Sequence, residues 1–238
     1  MIKYARRYHK WLMAFLGLQF LIWSVTGLYM VSINIHEIHG ESKLKETDKK
    51  LKMVKANYPI ELIRKRYPLA IELTMTTLVG QPVYRIRTAI ARTHLVSIRN
   101  GKELGLVNRE KAIQIASHYY SGQSPIKSAT LIDEYDDKLN EISPRHTPAW
   151  KISFNDLIDT SFYVSQSSGE LTAVRHNYWR LFDWMWRFHI MDYKQGDQVS
   201  NWLLRIAAIF SLISAVAGAY LTVANFTRNK QRDNRDAA

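Results

Sequence analysis

The chain has 238 residues, a formal net charge of +12, eight histidines and no cysteine. The lack of cysteine excludes disulfides, thiolate metal sites, iron–sulfur clusters and a cysteine nucleophile. Part of the positive charge sits in tails beside apolar segments, where anionic lipid headgroups supply the counter-charge, so nucleic acid is not the expected partner.

Residues 1–10, MIKYARRYHK, form a basic tail carrying Lys3, Arg6, Arg7 and Lys10. Residues 11–35, WLMAFLGLQFLIWSVTGLYMVSINI, contain no charged side chain. A helix of roughly 20 apolar residues crosses the hydrocarbon core of a bilayer. The run is longer than a signal-peptide core, and HEIHGESK follows it instead of a small-residue cleavage site. A retained membrane helix is therefore expected. Residues 36–55 read as a linker that extends this helix.

The middle of the chain repeats itself. PIELIRKRYP (59–68) has helical spacing, and AIELTMTT, PVYRIRT and THLVSIRNGKEL then alternate as strands. REKAIQIASHYY (109–120) again has a helical face, after Asn108 as N-cap, followed by IKSATLIDEY, PAWKISF and SFYVSQSSGELTAV. LVSIRNGKEL (95–104) matches YVSQSSGELT (163–172), each with a turn glycine. Two helix-plus-antiparallel-strand units are expected, over 56–108 and 109–176. Residues 177–200 open with an aromatic stretch, NYWRLFDWMWRFHIMDY. If helical, it lines up Trp179, Phe182, Trp186, His189 and Tyr193 near one face. A second apolar segment spans 201–226. A stripe of Ala207, Ser211, Ala215, Gly218 and Thr222 on it, with Gly17, Ser24 and Gly27 on the first, suits close helix pairing within the chain or in a dimer. The tail 227–238 carries Arg228, Lys230, Arg232 and Arg235. Basic flanks at both ends place both termini in the cytoplasm and residues 36–200 mostly outside. The expected fold is an α+β membrane protein with two transmembrane helices flanking an extracytoplasmic domain.

Histidine is the best source of chemistry. His36 and His39 are three apart, and share a face if the helix runs on to Gly40. His189 precedes the second apolar segment closely enough to lie at the same depth. Neutral imidazoles without thiolate suit haem iron, zinc or copper. A b-type haem needs two opposed histidines in an apolar slot. His189 with His36 or His39 would ligate it, Trp186 and its aromatic neighbours would line it, and Arg180 or Arg187 would pair with its propionates. His9 is a further candidate ligand at the cytoplasmic end, or simply an anchor. Hydrated interfacial histidines and a plain metal site are the alternatives. The remaining histidines, His94, His118, His146 and His176, read as surface residues. The acidic DEYDD, with Asp133, Glu134, Asp136 and Asp137, lacks a calcium-loop pattern. No HExxH, GxSxG or phosphate loop occurs, and no flavin or nicotinamide fingerprint.

The segment from Arg109 to Val174, with REKAIQIA, PAWKISF and YVSQSSGEL, resembles a PepSY domain, and the first half resembles a diverged copy. Arg6, His9, Trp11, Trp23, Ser24, Gly27 and Leu28 resemble the PepSY-associated membrane helix. That resemblance implies a bacterial inner-membrane protein related to ferric-siderophore reductases. It implies haem b between helix histidines, a ferric chelate as acceptor, a separate electron donor, and a homodimer or larger membrane complex. PepSY domains also occur as inhibitory or chaperone-like parts of secreted peptidases. A binding module for a periplasmic protein or peptidase, or a structural membrane subunit, is the alternative.

Overall fold

A computed structural model describes residues 2–45, 57–90, 92–132, 141–194 and 196–236; the DEYDD run lies outside them. The chain is α+β, with two small antiparallel sheets and two helices long and apolar enough to cross a membrane. It divides into a helical unit, Met1–Ile33 with Leu181–Ala238, and an α+β unit, Asn34–Arg180.

In the helical unit, α1 is Ile2–Ser32. Its apolar window, Arg6–Ser32, has 27 residues, as does Trp202–Arg228 in the last helix. At 1.5 Å per residue each is about 40 Å long, more than a hydrocarbon core of about 30 Å. Phe15, Leu18, Leu28, Ile209, Val216 and Phe226 point outward, exposed. Hydroxyls of Ser24, Thr26, Ser32, Thr222 and Thr227 donate to carbonyls four residues back, so they satisfy themselves without water. Burial falls on Leu16 and Thr26 of α1 and on Ala207, Ser214 and Leu221 of the last helix. This corrects the expected stripe, because Ala215 and Thr222 are exposed. Steps of seven residues drift only about 20° around a helix, whereas Ala215 lies about 80° from Ala207. The seam therefore follows Ser214 and Leu221.

The first helix does not run on to Gly40. It stops at Ser32, and a separate turn, α2 (Ile35–Ile38), begins under an N-cap in which Asn34 accepts from the His36 amide. Residues 34–45 are also no linker. Ile38 is fully buried, Gly40 lies against Val174, and Leu44 bridges Tyr120. Gly40 has φ 74°, and a Cβ there would stand 2.5 Å from a Val174 methyl.

The rest of the α+β unit holds α3 (Ile60–Arg66), then β1 (Ala70–Leu78), β2 (Gln81–Thr88) and β3 (Thr93–Ser97), an antiparallel meander. α4 (Arg109–Tyr119) follows, capped by Asn108, whose side chain accepts from the Lys111 amide. β4 (Ile126–Ile132), β5 (Ala149–Phe154), β6 (Ser161–Ser165) and β7 (Leu171–Arg175) form a four-stranded sheet in sequence order. SFYVSQSSGELTAV is thus a hairpin and not one strand. The two halves share its turn. Gly101 and Gly169, 68 apart, have φ of 70° and 65° and donate to Ser97 and Ser165 carbonyls. In the first half the arm after the turn forms no full strand, pairing through the Val96–Glu103 bridge with the Ser97 amide donating to Lys102 and the Leu104 amide to Leu95.

Two cores result. Ile63, Tyr84, Ile86, Val96 and Ile98 pack on the α3 side of the first sheet. Leu78, Val83 and Leu95 from its other face join Ile115, Ile152, Phe154, Phe162 and Val164 in a larger core. Each buried aliphatic or aromatic side chain stabilises by about 1.5–3 kcal/mol. Trp150 donates to the Val107 carbonyl and the Val107 amide to Gln166, which laces the connecting segment to the second sheet. The last two helices are α5 (Asn177–Ile190), which starts in this unit and ends in the helical one, and α6 (Trp202–Asp236).

Two glycines with similar φ give a test. Gly80 (φ 73°) faces open space, whereas a Cβ on Gly101 would enter the Tyr58 ring. Gly80→Ala is expected to lower stability by about 1–2 kcal/mol, the cost of a left-handed backbone. Gly101→Ala should cost at least twice that. Urea unfolding followed by near-UV circular dichroism measures both, and equal losses would contradict the packing at Tyr58.

Candidate functional site

The histidines fall into two groups. In the helical unit, α5 ends with His189 against α1. Thr26, three per cent exposed, places its hydroxyl 2.9 Å from His189 Nδ1. That hydroxyl has one proton, and the Ile22 carbonyl at 2.8 Å takes it. With its proton on that carbonyl the oxygen is open to accept from the ring, and the geometry fits the tautomer with the proton on Nδ1 and the lone pair on Nε2. Trp23 fixes the same residue from the other side, donating from its indole to the His189 carbonyl at 2.8 Å. Gly27 faces the ring at ordinary contact distance. Trp23, Thr26 and Gly27, at i, i+3 and i+4, form one face of α1 that receives His189.

His9 sits in a notch on α6. Ser214 Oγ is 3.4 Å from its Nδ1, and a Cβ on Gly218 would stand 2.9 Å from its Cε1. Arg6 donates to Asn225 one turn further along. Seventeen residues of α1 separate His9 from Thr26, or about 26 Å, so His9 and His189 cannot bind one ion together. Along the seam, Gln19 Nε2 and Ser211 Oγ are buried without a partner among the described residues.

The aromatic side chains around His189 are only partly buried. Trp186 donates to the Gly196 carbonyl, and Phe188 packs edge-on against Tyr193, which lies beyond the end of α5. Arg187 is buried, held by Asp183 at 2.7 Å and the Lys194 carbonyl. Arg180 belongs to the α+β unit, where its five donors reach Glu141, Asp159, Asn177 and Ser161. Both guanidiniums are committed to partners within the chain.

In the α+β unit, His36 and His39 are exposed. His36 Nδ1 meets Glu41 at 2.9 Å, and the hydrogen bond and charge of that carboxylate raise its pKa. His94 pairs with Glu103 at 2.6 Å. His176 reverses its expected place, because it is one per cent exposed. Its Nε2 donates to the Glu37 carbonyl at 2.9 Å, and its Nδ1 faces the Trp179 amide at 3.4 Å. It thereby holds α2 to the start of α5. Burial is the main force depressing its pKa, with Lys43 and Arg180 adding to it against Glu37 and Asp156. The Arg175 guanidinium stacks 4.1 Å over the Trp179 ring beside it.

Glu141 is a second centre that the sequence does not signal. It is eight per cent exposed, and takes the Tyr163 hydroxyl, Arg180 and Lys151. Burial opposes its ionisation, but these partners outweigh that and hold its carboxyl below the usual range. Burial beside this carboxylate keeps the Tyr163 phenol protonated far above its ordinary range. Among the described residues no group of three or more histidines and carboxylates could hold a metal ion.

No family model, curated protein or solved structure matches this chain.

The buried imidazole of His176 has a pH signature. The unfolded chain takes up a proton near pH 6.5, and the folded site resists it. Its contribution is therefore complete above that pH and is lost as pH falls toward the depressed folded value. Glu141 and Asp156 are held low, so their contributions are complete in this window and are lost only as pH falls through the carboxylate range. The thermal midpoint should fall between pH 6.5 and 5.5, and His176→Gln should flatten that slope. A slope unchanged in the variant would assign it to other histidines.

Proposed function

We propose that this chain is a membrane-anchored PepSY-type protein that binds haem b and passes electrons to an acceptor such as a ferric chelate. Both termini lie in the cytoplasm of a bacterium, and the α+β unit lies outside the inner membrane. One observation carries this reading. The Thr26 hydroxyl lies 2.9 Å from Nδ1 of His189 while it donates to the Ile22 carbonyl, a geometry that suits a metal-ligating histidine held by a supporting hydrogen bond on its other ring nitrogen. When bound, haem supplies one-electron exchange at its iron.

The residues of the chain do the rest. Thr26 would hold the proton at Nδ1 and orient Nε2 toward the iron. Trp23 pins the backbone of His189, so the ring cannot swing away. The aromatic residues of α5, partly buried, supply apolar surface beside the ring. His9, about 26 Å along α1, is too far to share that iron and serves the opposite end of the membrane. The unpartnered Gln19 and Ser211 atoms support completion of the seam by a second copy or another subunit. The reductant comes from a separate protein.

The test is spectroscopic. The full chain, made with ample haem supply and purified in mild detergent, should show a reducible Soret band that His189→Ala abolishes. Thr26→Val keeps the shape of the side chain and removes the acceptor, and should weaken haem binding by roughly 10–100-fold. His36→Ala and His39→Ala then test the two candidates for the second ligand, and His9→Ala, at the far end of α1, should leave that band unchanged. A colourless wild-type protein rejects the haem reading.

A further inference from the structure

The α+β unit contains a polar groove of about 320 Å³ that the haem reading does not use. Its origin is the two-residue period of β2. Val83, Arg85 and Arg87 share one face, and Leu95 and Thr93 of β3 stand opposite Arg85 and Arg87. At the Val83 end this face enters the larger core. At the Arg87 end it is charged and forms one wall of the groove. The turn between β6 and β7 and residues 145–147 form the other.

The wall is built. Arg85 Nε donates to the Ser168 carbonyl and its Nη1 to Glu170 at 2.5 Å. Arg87 uses Nε and Nη2 on Glu72. Each guanidinium is thus oriented by a glutamate, yet Nη2 of Arg85 and Nη1 of Arg87 have no partner among the described residues. Arg145 has none at all among them. Three arginines and His146 face two glutamates that are already paired. The remaining lining is seven serine and threonine residues, with no aliphatic or aromatic carbocycle.

We propose that this groove binds a small hydroxylated polycarboxylate. Arg85 and Arg87 are about 7 Å apart along the strand, which suits two carboxylates of one ligand better than the single centre of a phosphate. Guanidinium edges match carboxylates in two-bond geometry. Hydroxyl side chains both donate and accept, and so match ligand hydroxyls. The volume admits a molecule of citrate size, and no Phe, Tyr or Trp is in the lining to stack on a base. The site stands on the α+β unit alone and is independent of haem.

Calorimetric titration of the full chain in detergent, at low ionic strength, tests this with citrate and with inorganic phosphate. Citrate should give a saturable one-to-one isotherm, with phosphate at least ten-fold weaker. Arg145→Ala removes an exposed side chain with no structural partner, and should weaken citrate about ten-fold. Arg85→Gln should weaken it as well. Arg64→Ala, an equal change of charge on exposed α3, should leave it unaltered. No citrate isotherm in the wild type, phosphate binding as tightly as citrate, or an equal loss in Arg64→Ala would each overturn the proposal.

Discussion

The α+β unit depends on one shared burial. Leu78, Val83 and Leu95 leave the first sheet and enter the core of the second, among Ile115, Phe154 and Phe162. Neither sheet could bury that surface alone, because three or four short strands with one helix leave a face open to water. The β6–β7 turn reaches the same place, with Gly169 close to Leu78. That contact also brings Ser168 and Glu170 to Arg85. The groove is a by-product of how the sheets join: the strand face that packs them continues, two residues on, as a row of guanidiniums.

The helical unit has two helices long and apolar enough to cross a membrane, and hydroxyls along α1 and α6 turn back on their own helices, as a solvent without water requires. Two hydroxyls also meet an imidazole on another helix, Thr26 with His189 and Ser214 with His9. Each joins two helices, and each sits on a residue nearly fully buried. Thr26 does both jobs at once: it satisfies the Ile22 carbonyl and thereby becomes an acceptor for His189. A serine or threonine is the smallest side chain able to do so, since valine has the shape but no oxygen.

Much of the local architecture was legible because it depends on neighbours in sequence. Asn108 announced the start of α4, and Ala112, Ile115 and Ala116 its buried face. The glycines of RNGKE and SSGEL announced matching turns, since only glycine adopts positive φ there cheaply. Two uncharged runs announced the long helices. Other features were misread for physical reasons. Nothing in YMVSINIHEIHG marks a break, yet Asn34 caps a new turn and α1 stops. His176 looked like a surface residue because its burial depends on Glu37, far away in sequence. Glu141 and Arg180 carry no motif, and their pairing spans 39 residues.

The sequence by itself determined the period of each element, the turn chemistry and the two apolar lengths, because these follow from backbone geometry and from the transfer of side chains out of water. It also named His189 as a residue of interest, through its aromatic setting. Only the tertiary structure decided which of its nitrogens meets Thr26, which face of β2 lines a groove, and which histidine is buried. Those depend on partners brought together from opposite parts of the chain. A hydrogen bond such as Thr26 to His189 is set by where two helices meet, and no local pattern encodes that distance.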